Sequence, residues 1–111
     1  MAESKYITQI QENGAVLISD EVLVTIIYHA VEEVENVTLS GKPGKNWGKG
    51  IKGNILEDNR VEVICYINVS YNISVVSAAS AVQEAVITAL ESMTGVQVAD
   101  VKVNVCGIIR N

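Results

Sequence analysis

Residues 60–107 read RVEVICYINVSYNISVVSAASAVQEAVITALESMTGVQVADVKVNVCG, and three periodicities follow one another along them. Val61, Val63, Cys65, Ile67 and Val69 alternate with Glu62, Ile64, Tyr66 and Asn68, the spacing of a half-buried strand. From about Ile73 to Met93 the apolar positions Val75, Ala78, Ala79, Val82, Ala85, Val86, Ala89, Leu90 and Met93 recur at steps of three and four, which is a helical period. Gly95 comes next, where glycine suits the left-handed position just past a helix end. Val101, Val103 and Val105 then alternate with Lys102, Asn104 and Cys106, a second one-faced strand. Val96 and Val98 are one residue out of step with that phase, and a bulge or bend near Ala99-Asp100 reconciles them.

Strand, helix and strand in this order form a βαβ unit when the strands are parallel neighbours, with the helix lying on the sheet. The expected inner side of that helix carries Ala78, Ala79, Ala81, Ala85 and Ala89, small enough to let helix and sheet approach closely. No cofactor is needed in that layer.

The rest of the chain supports one domain around this unit. Its 111 residues are 49% hydrophobic and 19% charged, enough to bury one core against the entropy of ordering the chain. The sequence divides into a flexible arm over residues 1–12 and a single domain over 13–111. The net charge of -5 opposes a surface built as a whole to hold phosphate backbones, so nucleic acid is not the expected partner. The start, Met1-Ala2-Glu3-Ser4-Lys5-Tyr6, lacks the apolar core of a signal peptide, and no apolar run approaches the roughly 20 residues that span a bilayer, so the expected location is the cytoplasm.

Ahead of the βαβ unit, residues 1–12 read as a frayed arm or an added edge strand around Tyr6-Ile7-Thr8. Gly14 introduces Ala15-Val16-Leu17-Ile18, a continuous apolar run that suits a buried strand. Ser19 stands where an N-cap is wanted, with Asp20 and Glu21 favourably placed against the dipole of a first helix. Val22, Ile26, Ile27, Ala30, Val31 and Val34 form the apolar stripe of that helix. Glu32, Glu33 and Glu35 crowd its end against the dipole, as a solvated face or as a place to meet a cation or a basic partner. Val37-Thr38-Leu39 is a short strand, Ile51 to Glu57 another, and Asp58-Asn59 a two-residue turn that makes a hairpin of it with the strand from Arg60.

Between those short strands the texture changes. Gly41-Lys42-Pro43-Gly44-Lys45-Asn46-Trp47-Gly48-Lys49-Gly50 has five Gly or Pro in ten residues and cannot be a regular element. Lys42, Lys45, Lys49 and Lys52 are half of the chain's basic residues, and Trp47 is its only tryptophan. The run is not a Walker A loop, because Gly44 and Gly48 are separated by three residues instead of four and Lys49 is followed by Gly50. Nor is Gly41 to Gly44 a KH-type GxxG, which joins two helices where this one joins strands. Two readings remain: a solvated hairpin whose lysines discourage edge pairing, or a loop that holds an anion, a nucleic-acid strand or an acidic protein through Lys42, Lys45, Trp47, Lys49 and Lys52.

Reactive chemistry is sparse. There is no Ser/His/Asp or Cys/His set, no pair of carboxylates with a nucleophile, and no ligand spacing for a metal. His29 falls beside the apolar stripe of the first helix without an acid or a second ligand at useful spacing; an enzyme would need the fold to bring one to it. Glu32, Glu33 and Glu35 diverge by about 100 degrees per residue around a helix and do not all face one ion. Cys65 should point into the core and Cys106 away from it, so a disulfide between them is not expected. Ile64 and Tyr66 occupy the face of their strand where charge would be expected, and an apolar pair there reads as a self-association surface.

Taken together, Gly14 to Ile18 with Ser19-Asp20-Glu21-Val22, Glu33-Val34-Glu35-Asn36-Val37, Lys49-Gly50-Ile51-Lys52, Tyr71-Asn72-Ile73, Val82-Gln83-Glu84, Met93-Thr94-Gly95-Val96 and Val101-Lys102-Val103-Asn104-Val105 resemble the alkaline shock protein family of Gram-positive bacteria. The resemblance covers roughly residues 13 to 109. Asn36 and Asn72 stand where that family commonly has glycine, and Ser74 where proline commonly opens the helix. Resemblance implies a non-enzymatic cytoplasmic protein of cell-envelope homeostasis or the envelope stress response, without a cofactor, forming homo-oligomers and held near the membrane by an integral-membrane partner. The expected fold is an α+β two-layer sandwich in β-α-β(β)β-α-β order, with two helices packed on one face of a mixed four- or five-stranded sheet.

Overall fold

The computed structural model describes residues 6–40, 50–56, 58 and 60–110. Over the described residues the chain is α+β, with two helices and two sheets, one of two strands and one of four. Its elements are β1 (Tyr6–Gln11), β2 (Gly14–Ser19), α1 (Asp20–Glu32), β3 (Val37–Leu39), β4 (Ile51–Ile55), β5 (Arg60–Ser70), α2 (Val75–Thr94) and β6 (Gln97–Ile109).

β5 is the axis of the four-stranded sheet. Val61, Val63, Cys65, Ile67 and Val69 are all buried, as their alternation requires. β6 runs parallel to β5 along its whole length, from Arg60↔Gln97 to Ser70↔Ile109, which completes the βαβ unit. The register shifts after Val61↔Val98, so that Glu62 faces Asp100 and Ala99 is the extra residue of a bulge, at the place where the valine phase breaks. A second shift passes over Cys106 between Ile67↔Val105 and Asn68↔Gly107. A Cβ on Gly107 would lie 3.1 Å from the Asn68 side-chain oxygen, a tight contact that a small shift of the Asn68 side chain would have to relieve.

The other edge of β5 is shared. β4 pairs antiparallel with residues 61–65 and β3 with residues 67–69, end to end along one side. The Leu56 amide donates to the Arg60 carbonyl at 2.8 Å, closing the β4–β5 hairpin. Next to it the Arg60 guanidinium, 2.7 Å from the Asp58 carboxylate, holds that carboxyl below its ordinary range. The pair is exposed and contributes little to stability.

Both helices feed one core with β5. Leu23, Ile26, Ile27, Ala30 and Val31 of α1 and Ala78, Val82, Val86 and Leu90 of α2 are buried in the same cluster as the inward side chains of β5. Fully burying a Val, Leu or Ile side chain stabilises by roughly 1.5–3 kcal/mol, so this cluster dominates the stability of the domain. α2 starts where the Ser74 hydroxyl accepts the Ser77 amide at 3.2 Å and stops at Gly95, whose φ of 73 is left-handed. Asn36 and Asn72 also have positive φ, 67 and 76, which accounts for the two asparagines at commonly glycine positions.

Several expectations are corrected. Ser19 occupies the N-cap position of α1 in an extended conformation but makes no side-chain capping bond. The stripe of α1 begins at Leu23 and not at Val22, which is exposed; the buried positions Leu23, Ile27 and Val31 repeat every four residues, and Val22 lies about 100 degrees off that line. At the ends of α2, Val75 and Met93 are exposed, off the buried line of Ala78, Val82, Val86 and Leu90. β2 is not a buried strand. Among the described residues it pairs only with β1, and Val16 and Leu17 are 46% and 62% exposed. Residues 6–11 form β1 of this two-stranded ribbon, which is fastened by buried Ile7 and by the Gln9 side-chain amide donating to the Thr94 carbonyl at 3.1 Å.

Candidate functional site

The outward face of β5 is where sequence and geometry meet. Ile64 and Tyr66 lie opposite the core residues of their strand and remain half-buried. Residues paired in register share a face of the sheet. Lys52 on β4 and Lys102 on β6 therefore flank Ile64 on either side, since Lys52↔Ile64 and Ile64↔Lys102 are register partners. The next row along is Asn54, Glu62 and Asp100, so a basic row lies beside an acidic one. Such a face offers an apolar centre with charges of both signs around it, the composition of a protein contact more than of a phosphate-binding groove.

Tyr66 also holds Ser40 and Gly50. Its carbonyl accepts the Ser40 amide and its amide donates to the Gly50 carbonyl, both at 2.8 Å. Ser40 and Gly50, the described residues on either side of 41–49, therefore both lie beside Tyr66. The register of a strand 16 residues beyond Gly50 decides this, and nothing local in the loop signals it. Lys42, Lys45, Trp47 and Lys49 lie outside the described residues; Lys52 is the one member of that set with a described place, on β4 beside Ile64.

A second feature lies between the helices. Ile26, His29, Ala30, Glu33 and Val34 of the α1 side face Ala81, Glu84, Ala85, Ala89 and Met93 of α2 across an open groove of about 770 Å³, with Thr25 and Thr88 on its walls. The expected role of the alanines is corrected here. Ala81, Ala85 and Ala89 turn toward α1, and of the five alanines expected on the sheet-facing side only Ala78 is buried, because the buried line of α2 is Ala78, Val82, Val86 and Leu90. His29 shares the groove with Glu33 and Glu84, and its ring meets Tyr28 edge-on at 5.5 Å. Glu32, one turn on from Tyr28, accepts its hydroxyl and by its charge holds that phenol above its ordinary range. Among the described residues no three His, Cys, Asp or Glu side chains are placed to hold a metal ion.

The cysteines are free. Cys65 is buried and Cys106 exposed, the orientations that the strand phases predict. Burial pushes the Cys65 thiol up to about 12, so it is neither a nucleophile nor a ligand at neutral pH.

Comparison with known families decides the relationship. Residues 8–110 match the alkaline shock protein 23 family, described as having a cell envelope-related function. The chain belongs to the alkaline shock protein family. The match covers both the ribbon and the βαβ unit, so the family's domain includes the β1–β2 pair from Thr8 onward. Curated proteins and solved structures give no match. Among the described residues no helix is long and apolar enough to cross a membrane.

Proposed function

We propose that this alkaline shock protein is a non-enzymatic interaction protein of cell-envelope homeostasis or the envelope stress response. It acts in the cytoplasm as a homo-oligomer and is held near the membrane by an integral-membrane protein partner. The helices form one layer against one face of the four-stranded sheet, and the other face, centred on Ile64 and Tyr66, is the self-association surface. The observation that carries the reading is the pair Ile64 and Tyr66 on the outward side of β5, framed by Lys52 and Lys102 and tied through Tyr66 to the ends of the 41–49 segment. β6 adds to it, since its outer edge pairs with no strand among the described residues and lies beside the same face.

Light scattering coupled to size exclusion tests this. The wild-type chain is expected to elute as an oligomer and Ile64→Lys, which sets a third positive charge between Lys52 and Lys102, as a monomer with unchanged thermal stability. A monomeric wild type, or an oligomer that Ile64→Lys leaves intact, overturns the assignment of this surface.

A further inference from the structure

We infer that the groove between α1 and α2 is the docking site for an amphipathic helix of a partner protein, with an apolar stripe flanked by lysine or arginine. The inference deepens the interaction role proposed above by giving one partner its chemistry.

The shape of the groove comes first. Ala81, Ala85, Ala89 and Met93 repeat every four residues, a line of about 18 Å on a helix rising 1.5 Å per residue. Ile26, Ala30 and Val34 form the matching line on the α1 side. Alanine is the reason that the seam is open: a larger side chain at Ala81, Ala85 or Ala89 would fill the space across to α1. Met93 stands 69% exposed at one end, a flexible apolar side chain free to adjust to whatever covers it.

The backbone chemistry then selects a helix. The walls are α-helical apart from Glu33 and Val34, which follow the end of α1, so along most of the groove the amides and carbonyls are occupied within the helices, and the floor is Ala, Ile and Val. An extended peptide laid there would lose water from its backbone groups without gaining partners, whereas a helix arrives with its own satisfied.

Charge selects the flanks. Glu33 stands on one wall and Glu84 on the other. Residues 20–35 hold five carboxylates and α2 holds two more, Glu84 and Glu91, while neither stretch contains a lysine or arginine. A helix from a second copy of this chain would bring like charge to both rims. An anionic membrane surface is repelled for the same reason. A helix with lysine or arginine beside its apolar stripe meets complementary charge on each side.

Fluorescence anisotropy with two labelled helix-forming peptides of about 18 residues tests the inference. Both carry leucines at i, i+3, i+4 and i+7; one has lysines flanking the stripe and the other glutamates. The lysine peptide should bind the wild-type chain at low salt. It should bind Glu33→Lys/Glu84→Lys at least about 10-fold more weakly, while the glutamate peptide gains affinity for that variant. Ala85→Trp should lose the lysine peptide with its circular dichroism unchanged, and the exposed double variant keeps the test decisive if Ala85→Trp folds poorly. Absence of lysine-peptide binding, or equal binding by the wild type and the double variant, overturns the inference. So does a fall in oligomer mass on Glu33→Lys/Glu84→Lys, which would put a second copy in the groove. The groove shares no residue with the Ile64–Tyr66 face, so the self-association assignment stands or falls on its own experiment.

Discussion

β5 and β2 are written in similar letters and end in opposite surroundings. Val61, Val63, Cys65, Ile67 and Val69 of β5 are buried, between β6 on one edge and β3 and β4 on the other. β2 carries Val16, Leu17 and Ile18 but has β1 as its single partner among the described residues, and on the face with Leu17 the neighbouring Ile10 is 81% exposed. A two-stranded ribbon is marginal by itself. What holds this one is a small number of long-range contacts, chiefly Ile7 in the core and Gln9 on Thr94. The difference teaches that an apolar strand is buried by its neighbours and not by its composition.

The largest test of that difference compares two leucines. Leu90→Ala removes a fully buried side chain of α2 and should cost about 3 kcal/mol in urea unfolding, whereas Leu17→Ala should cost less than about 0.5 kcal/mol. A large cost at Leu17 would mean that the ribbon is covered in solution, and the contrast between the two regions would collapse.

A smaller effect comes from pH. The folded Cys65 thiol titrates near 12 against an ordinary 9.0. Folding keeps the proton on, so this contribution is fully present below pH 9 and is lost as pH rises toward 12. At pH 10 the loss should be about 1.4 kcal/mol relative to neutral pH, and Cys65→Val should remove that part of the alkaline dependence. An unchanged alkaline slope in the variant would show that the thiol is less well shielded than the rest of the β5 core.

Smaller still is the effect of Gln9→Ala, expected to cost about 1 kcal/mol by deleting one side-chain hydrogen bond. Amide exchange in β1 and β2 should then speed up while that in β5 and β6 stays as it was. Equal acceleration in both would make the ribbon and the βαβ unit one cooperative body.

Much of this was legible in the residues. The alternation of residues 61–69 predicted β5, the three-and-four spacing predicted α2, and the broken phase between Val98 and Val101 called for a bulge or a bend near Ala99-Asp100, where the register shifts. These are local signals, because the period of apolar residues reports the geometry of the backbone that carries them. The candidate surfaces were less legible. Ile64 and Tyr66 could be singled out by being apolar in the wrong phase, but their neighbours Lys52 and Lys102 come from strands 12 and 38 residues from Ile64, joined only by register. The groove could not be read at all. Its alanines suit a sheet-facing side as well as a helix-facing one, and the choice between Ala78 and Ala81, Ala85 and Ala89 depends on the rotation of α2 about its axis.

Sequence alone determined the α+β class, the family and the orientation of both cysteines, since each rests on period, phase or a linear pattern of residues. Tertiary structure alone decided that Ala15 to Ile18 lies in a separate ribbon and that β3 and β4 share one edge of β5. It also decided that the alanines of α2 border an open seam beside carboxylates. Periodicity says which side of an element is apolar. Which neighbour that side meets depends on long-range packing, and no stretch of the chain encodes that by itself.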